Sequence, residues 1–158
     1  MFTTLGREGQ PLLRYRSGDV VRILGTDPCE CGRTGFRFRV EGRSDDMLIV
    51  KGINVFPSAV EQDLGELAPA LTGAFQILLP RPNPLETLSV RAEHATGIAP
   101  GALGGLARRI EERVRALLSV RAEVDLVPPS TLPRFEGKAK RLIRLYAGET
   151  PSSGSVSP

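Results

Sequence analysis

Residues 42–61 read GRSDDMLIVKGINVFPSAVE, and this stretch decides the architecture. Two short apolar runs within 47–56, MLIV and INVF, flank Lys51-Gly52, which predicts a hairpin with glycine in its turn. Pro57 follows where proline suits a first helical turn. Val60, Leu64 and Leu67 then recur at spacings of four and three, which predicts an amphipathic helix ending near Ala68-Pro69. Ahead of the hairpin, GRSD at 42–45 has the small and polar residues of a connector between two blocks.

Toward the C-terminus, AFQILLP (74–80) and TLSVRAE (87–93) read as strands separated by the turn-rich Arg81-Pro82-Asn83-Pro84. A helix is predicted over 102–118. Leu103, Leu106, Ile110, Val114 and Leu117 form its apolar stripe, and Arg108, Arg109, Glu111, Glu112 and Arg113 cover the other side. A last strand falls near 120–127, and PPSTLPRFEGKAKR (128–141) is a loop into a short closing segment. The tail from 148, GETPSSGSVSP, has almost no apolar content and is expected to be disordered. Hairpin, helix, strand, strand, helix and strand over 45–147 predict a small α+β domain, a short sheet flanked by helices with the hairpin at its N-terminal end.

Toward the N-terminus the pattern changes. LLRYR (12–16) and VVRIL (20–24) read as extended segments joined by Ser17-Gly18-Asp19, a strong turn signal. After the loop TDPCECGRTG (26–35), Phe36, Phe38 and Val40 alternate with Arg37, Arg39 and Glu41, which predicts a half-buried strand. Residues 1–44 begin inside sheet-like sequence with no helix to cover it. They are expected to be the β-rich trailing segment of a larger domain.

Composition narrows the function classes. The 158 residues are 41% hydrophobic but only 5% aromatic, with 17 glycines and 13 prolines, which suits many short elements joined by tight turns. The net charge of +3 and the scarcity of aromatics disfavour a polynucleotide, which is usually gripped by stacking as well as charge. A phosphate-bearing small molecule fits the same cations. No run approaches the ~18 apolar residues of a membrane-spanning helix, and MFTTLGREG lacks the apolar core of a signal peptide. With only two cysteines, one residue apart, the expected compartment is the reducing cytoplasm.

Four segments carry chemistry: RYRSGD (14–19), GRSDDM (42–47), KGINVFPSAVE (51–61) and LPRFEGKAKR (132–141). Each alone reads as a turn, a solvated loop, a hairpin or a basic loop. In this order they resemble the final core motifs of the adenylate-forming superfamily of acyl-CoA synthetases, nonribosomal adenylation domains and luciferases. Together with CECGRT (29–34) the wording is similar to the phenylacetate–CoA ligases, over roughly residues 2–145.

That resemblance implies a two-step reaction. A carboxylate attacks the α-phosphate of ATP to give an acyl-adenylate and pyrophosphate, and the thiol of coenzyme A then displaces AMP. The small domain reorients between the steps. By the same resemblance Asp19 accepts hydrogen bonds from the ribose hydroxyls, Arg43 lies near the nucleotide, and Asp45 is the hinge. Lys138 becomes the catalytic cation of the first step, and Lys51, Gly52 and Asn54 line the path of coenzyme A in the second. The implied cofactors are ATP, Mg2+ and coenzyme A, and the implied acid is a small aromatic carboxylic acid. A homodimer is a further partner the resemblance admits.

The chain departs from the family by omission. No Gly/Ser/Thr-rich phosphate loop and no acyl pocket are visible, so it is expected to be inactive alone and to need an N-terminal adenylation domain, in cis or in trans. The alternative is a stand-alone module that binds coenzyme A or nucleotide without catalysis. Cys29 and Cys31 form a C-x-C-G pair. It reads either as half of a zinc knuckle, whose remaining ligands lie elsewhere, or as two reduced surface thiols. His94, the only histidine, is distant in sequence and reads as an ordinary surface residue.

Overall fold

The computed structural model describes residues 1, 3, 4, 6, 8, 9, 11–133 and 140–151. The chain separates into two compact units, residues 1–45 and 46–158.

The first unit is built on a two-stranded ribbon, β1 (Asp19–Gly25) antiparallel to β2 (Arg37–Arg43). The register sets Val21 opposite Val40 and Ile23 opposite Phe38, so these side chains share one face. Phe36 continues the patch, its ring centroid 5.7 Å from that of Phe38. The alternation that predicts a half-buried strand is present, but the burial is not. Phe36, Phe38 and Val40 are 57%, 51% and 54% exposed. A strand face is buried only by a second layer, and the described residues of this unit supply none. LLRYR forms no strand either, only a single bridge residue at Tyr15. Arg14 has φ 49°, a left-handed conformation that interrupts an extended run. Gly42 and Arg43, predicted as connector, are the last residues of β2.

The second unit begins with β3 (Leu48–Val50) and β4 (Ile53–Val55), a hairpin that forms its own two-stranded sheet. Its two-residue turn puts Lys51 at φ 48° and Gly52 at φ 82°, the positive-φ pair that matches the twist of the flanking strands. A Cβ at Gly52 would meet nothing within 4 Å, so glycine is needed there for its dihedral and not for space. The loop at residues 80–87 ties this hairpin down. Leu85 donates to the Ile49 carbonyl at 2.7 Å and Lys51 donates to the Leu85 carbonyl at 2.9 Å. The Asn83 side chain accepts from the Ile49 N–H at 3.1 Å.

The helix predicted after Pro57 is α1 (Pro57–Gly65), with Pro57 in its first turn. The strand β5 (Leu71–Leu79) runs antiparallel to β6 (Leu88–His94). The long helix α2 (Pro100–Leu118) then crosses over to β7 (Ala122–Val127), which lies parallel to β6. The closing segment is a strand, β8 (Leu142–Arg144), parallel to the other side of β5, and the sheet order is β7-β6-β5-β8. This α+β arrangement of a mixed sheet and two helices is the predicted fold class.

The helices pack on each other, α1 against β5 and α2 against β7. Val60, Ile77, Leu88, Ile110 and Val114 meet at the centre with no exposed surface. Each such side chain contributes about 1.5–3 kcal/mol by leaving water. Leu117, predicted in the core stripe, is 60% exposed, and Leu118 packs against the core in its place. A turn of 3.6 residues carries the stripe from Val114 to Leu118 at the helix end. Glu149, counted with the tail in sequence, is tied to the end of β8 and to Lys140 ahead of that strand: the Arg144 N–H donates to Glu149 Oε2 at 2.8 Å, and Lys140 pairs with Oε1 at 3.0 Å.

Candidate functional site

Three residues singled out from two separate motifs form one cluster in the first unit. Asp19 opens β1 and Arg43 closes β2, and the register places them opposite each other. Arg43 grips Asp45 with both prongs of its guanidinium, Nε to Oδ1 and Nη2 to Oδ2 at 3.0 Å each. Its Nη1 donates to the Ser17 carbonyl at 3.3 Å and lies 3.9 Å from Asp19 Oδ1. A bidentate arginine–carboxylate pair fixes orientation as well as charge. Gly18 has φ 81°, and a Cβ there would stand 3.3 Å from Arg43 Nη2, so the turn needs glycine for its dihedral and for Arg43 to approach. Asp19 is exposed, its carboxylate available to a ligand beside a cation.

In the second unit, β3 and β4 bury Leu48, Val50 and Val55 and present Lys51, Gly52 and Asn54 to solvent. Lys51 Nζ lies 4.0 Å from Glu86, which also meets Arg81 at 3.7 Å. Lys51 also lines an open cleft of about 550 Å³ with Glu112, Arg115 and Arg121.

Lys138 lies outside the described residues, but the chain on either side of its segment is fixed by polar contacts. On the near side, Leu132 donates its N–H to the buried Glu93. On the far side, Arg141 pairs with Glu61 of α1, and its guanidinium carbon sits 4.8 Å above the Phe75 ring. In sequence Arg141 is one of several cations in a basic loop, and Glu61 is an acid in the helix predicted after Pro57. The structure joins them across 80 residues. In sequence Glu93 is an acid near the end of a strand, a place that reads as solvated. No local signal marks it, because the alternation of Leu88, Val90 and Ala92 assigns Glu93 to the face of Ser89 and Arg91.

Cys29 and Cys31 occupy a tight turn in which Gly32, at φ 81°, donates to the Cys29 carbonyl at 2.8 Å. The Cys31 backbone N–H, then the Cys31 thiol, and further on Arg37, hold the Cys29 thiol below its ordinary value. Both thiols are free, and no group of three or more His, Cys, Asp or Glu able to hold a metal occurs among the described residues. His94 ends β6, half-buried, with Nδ1 2.9 Å from the Ala95 carbonyl.

Residues 52–145 match the family described as the AMP-binding enzyme C-terminal domain. The chain belongs to that family. It is 35% identical over 150 residues to the phenylacetate-coenzyme A ligase of Escherichia coli K12, covering 92% of this chain and 33% of that protein. A crystal structure of 2-hydroxyisobutyryl-CoA ligase, in the postadenylation state with an acyl-adenylate, superposes with a TM-score of 0.74. The identity is 31%, covering 85% of this chain and 29% of the ligase. A crystallised domain of phenylacetate-coenzyme A ligase from Bacteroides vulgatus matches at 30% identity and a TM-score of 0.54, covering 64% of this chain and 93% of that domain. The chain thus spans about a third of the length of the curated relative it matches.

Proposed function

We propose that this chain is the C-terminal part of an AMP-forming acyl-CoA ligase of phenylacetate–CoA ligase type. The enzyme joins a small aromatic carboxylic acid to coenzyme A at the expense of ATP, with Mg2+ arriving as part of the nucleotide substrate. The activity belongs to an assembly with a large adenylation domain, supplied in cis or in trans, and two reduced thiols suit a cytoplasmic setting. The observation that carries the reading is the convergence of Asp19, Arg43 and Asp45, drawn from motifs far apart in sequence, on one turn.

In this reading residues 1–44 are the trailing edge of the adenylation domain and residues 45–147 are the mobile domain. Asp19 accepts from the two ribose hydroxyls, a task suited to the paired oxygens of a carboxylate. Arg43 holds that turn in shape and places positive charge beside the nucleotide. Asp45, at the end of the first unit, is the hinge, and reorientation there starts by releasing the Arg43 fork. In the first half-reaction two anions approach and charge grows on the transferring group. The ammonium of Lys138 offsets that charge in the transition state. In the second, the bare backbone of Gly52 lets the pantetheine arm pass between Lys51 and Asn54.

The test is ATP–pyrophosphate exchange with the adenylation domain of a related ligase added to this chain. Exchange should appear with the wild-type chain and vanish with Lys138→Ala. Equal rescue by the variant sinks the assignment. Submillimolar binding of coenzyme A or AMP by the chain alone, without rescue, supports the alternative of a binding module.

A further inference from the structure

The end of β6 holds a buried acid that the proposed reaction does not yet use. Glu93 has no exposed surface, although Ser89 and Arg91 on the same face of β6 are half-exposed. The chain itself covers it. β7 ends at Val127, paired with Glu93, and the turn that follows, with Thr131 donating to the Pro128 carbonyl, folds back over β6. Leu132 is buried there, and its N–H donates to Glu93 Oε2 at 2.9 Å. The other carboxylate oxygen, Oε1, accepts from the Thr72 hydroxyl of β5 at 2.9 Å. Thr72 Oγ1 in turn accepts from the Ala74 N–H at 3.3 Å.

Burying a carboxyl group is expensive unless its oxygens are bonded, so an acid retained here implies a task. An apolar side chain could fill the same space against Leu132, but it could not choose where the Leu132 backbone sits. A carboxylate with one oxygen fixed by Thr72 can. We infer that Glu93 is a positioning residue for the half-reaction assigned to Lys138. It fixes the loop that follows β7 at Leu132, six residues ahead of that lysine. The inference rests on the ligase reading for its consequence and on the geometry alone for its structural part.

Two measurements separate those parts. In the 158-residue chain, Glu93→Leu should speed hydrogen exchange at the Leu132 amide by about tenfold, the loss of its hydrogen-bond acceptor. The Val90 amide, deep in the same strand, should keep its protection. In the reassembled reaction, the same variant should lower ATP–pyrophosphate exchange by about tenfold. Thioester formation from a preformed acyl-adenylate should stay at the wild-type rate. Thr72→Val, which removes one donor and little volume, should show the same split more weakly and serves if Glu93→Leu fails to fold.

A Leu132 amide that stays protected overturns the inference, and so does an equal fall in both half-reactions, which marks a merely structural role. If Lys138→Ala also leaves exchange intact, the ligase reading fails, and the amide measurement still judges Glu93. If Lys138→Ala abolishes exchange while Glu93→Leu does not, only the inference about Glu93 fails.

Discussion

Arg113 of α2 reaches Asp63 of α1, its Nη2 2.9 Å from Oδ1 of a carboxylate that is almost wholly buried. The same guanidinium bonds Glu66, and Glu66 first and Asp63 second hold Arg113 protonated beyond its ordinary range. Removing one partner of such a pair leaves a charge without compensation, whereas removing both does not. Arg113→Leu should therefore lower the thermal midpoint by several degrees, and Asp63→Leu added to it should restore part of the loss. A thermal double-mutant cycle measures this, and additive losses would contradict it.

Glu149 is held below the ordinary carboxylate value, first by the Arg144 N–H and then by Lys140. A carboxylate with a depressed folded-state pKa adds stability that is fully present above its unfolded value. That contribution is lost as pH falls through the folded value. The midpoint difference between wild type and Glu149→Gln should thus be largest above pH 4.5 and shrink on acidification below it. A difference that grows toward low pH would reverse the sign and refute the clamp.

The lowered Cys29 thiol should be the more reactive of the pair, because the thiolate is the nucleophile. Alkylation by iodoacetamide, followed residue by residue in the mass spectrometer, should label Cys29 at lower pH than Cys31. Cys31→Ala should move the Cys29 profile upward, since the Cys31 thiol is among the groups stabilising the anion. An unchanged profile would show that the turn does not tune it.

The uncovered face of the β1–β2 ribbon predicts a sticky surface. The chain should bind a hydrophobic dye at neutral pH, and Phe38→Ser with Val40→Thr should remove most of that signal while leaving the thermal midpoint of the second unit in place. Dye binding unaffected by the double change would locate the exposed surface elsewhere.

Local patterns carried the sequence reading where the chain's own period decides the structure. Lys51-Gly52 between two apolar runs, Pro57 before Val60 and Leu64, and the stripe from Leu106 to Val114 all became the elements they suggest. What stayed hidden depends on distant partners. Leu142–Arg144 is too short to announce a strand, and only its pairing with Ile77–Leu79 makes it one. The apolar face of Phe38 is correctly alternating, but alternation says which side seeks cover and not whether cover exists. Among the site residues, Asp19, Arg43 and Asp45 could be named from their motifs, while their meeting follows from the β1–β2 register. Arg141 and Glu93 had no local signal of their partners, since the acids and amides they engage lie tens of residues away.

The turn at Lys51-Gly52 has a stereochemical consequence. Gly52 sits at φ 82° with open space where a Cβ would project. An L-residue there strains the backbone by about 1–2 kcal/mol. The mirror-image residue finds that same dihedral relaxed and meets no neighbour. D-alanine, introduced by chemical ligation, should leave the hairpin intact or tighten it, whereas L-alanine should distort it. The position discriminates configuration rather than size. It therefore offers a place beside Lys51 where a probe on a D-residue could be mounted without moving the fold.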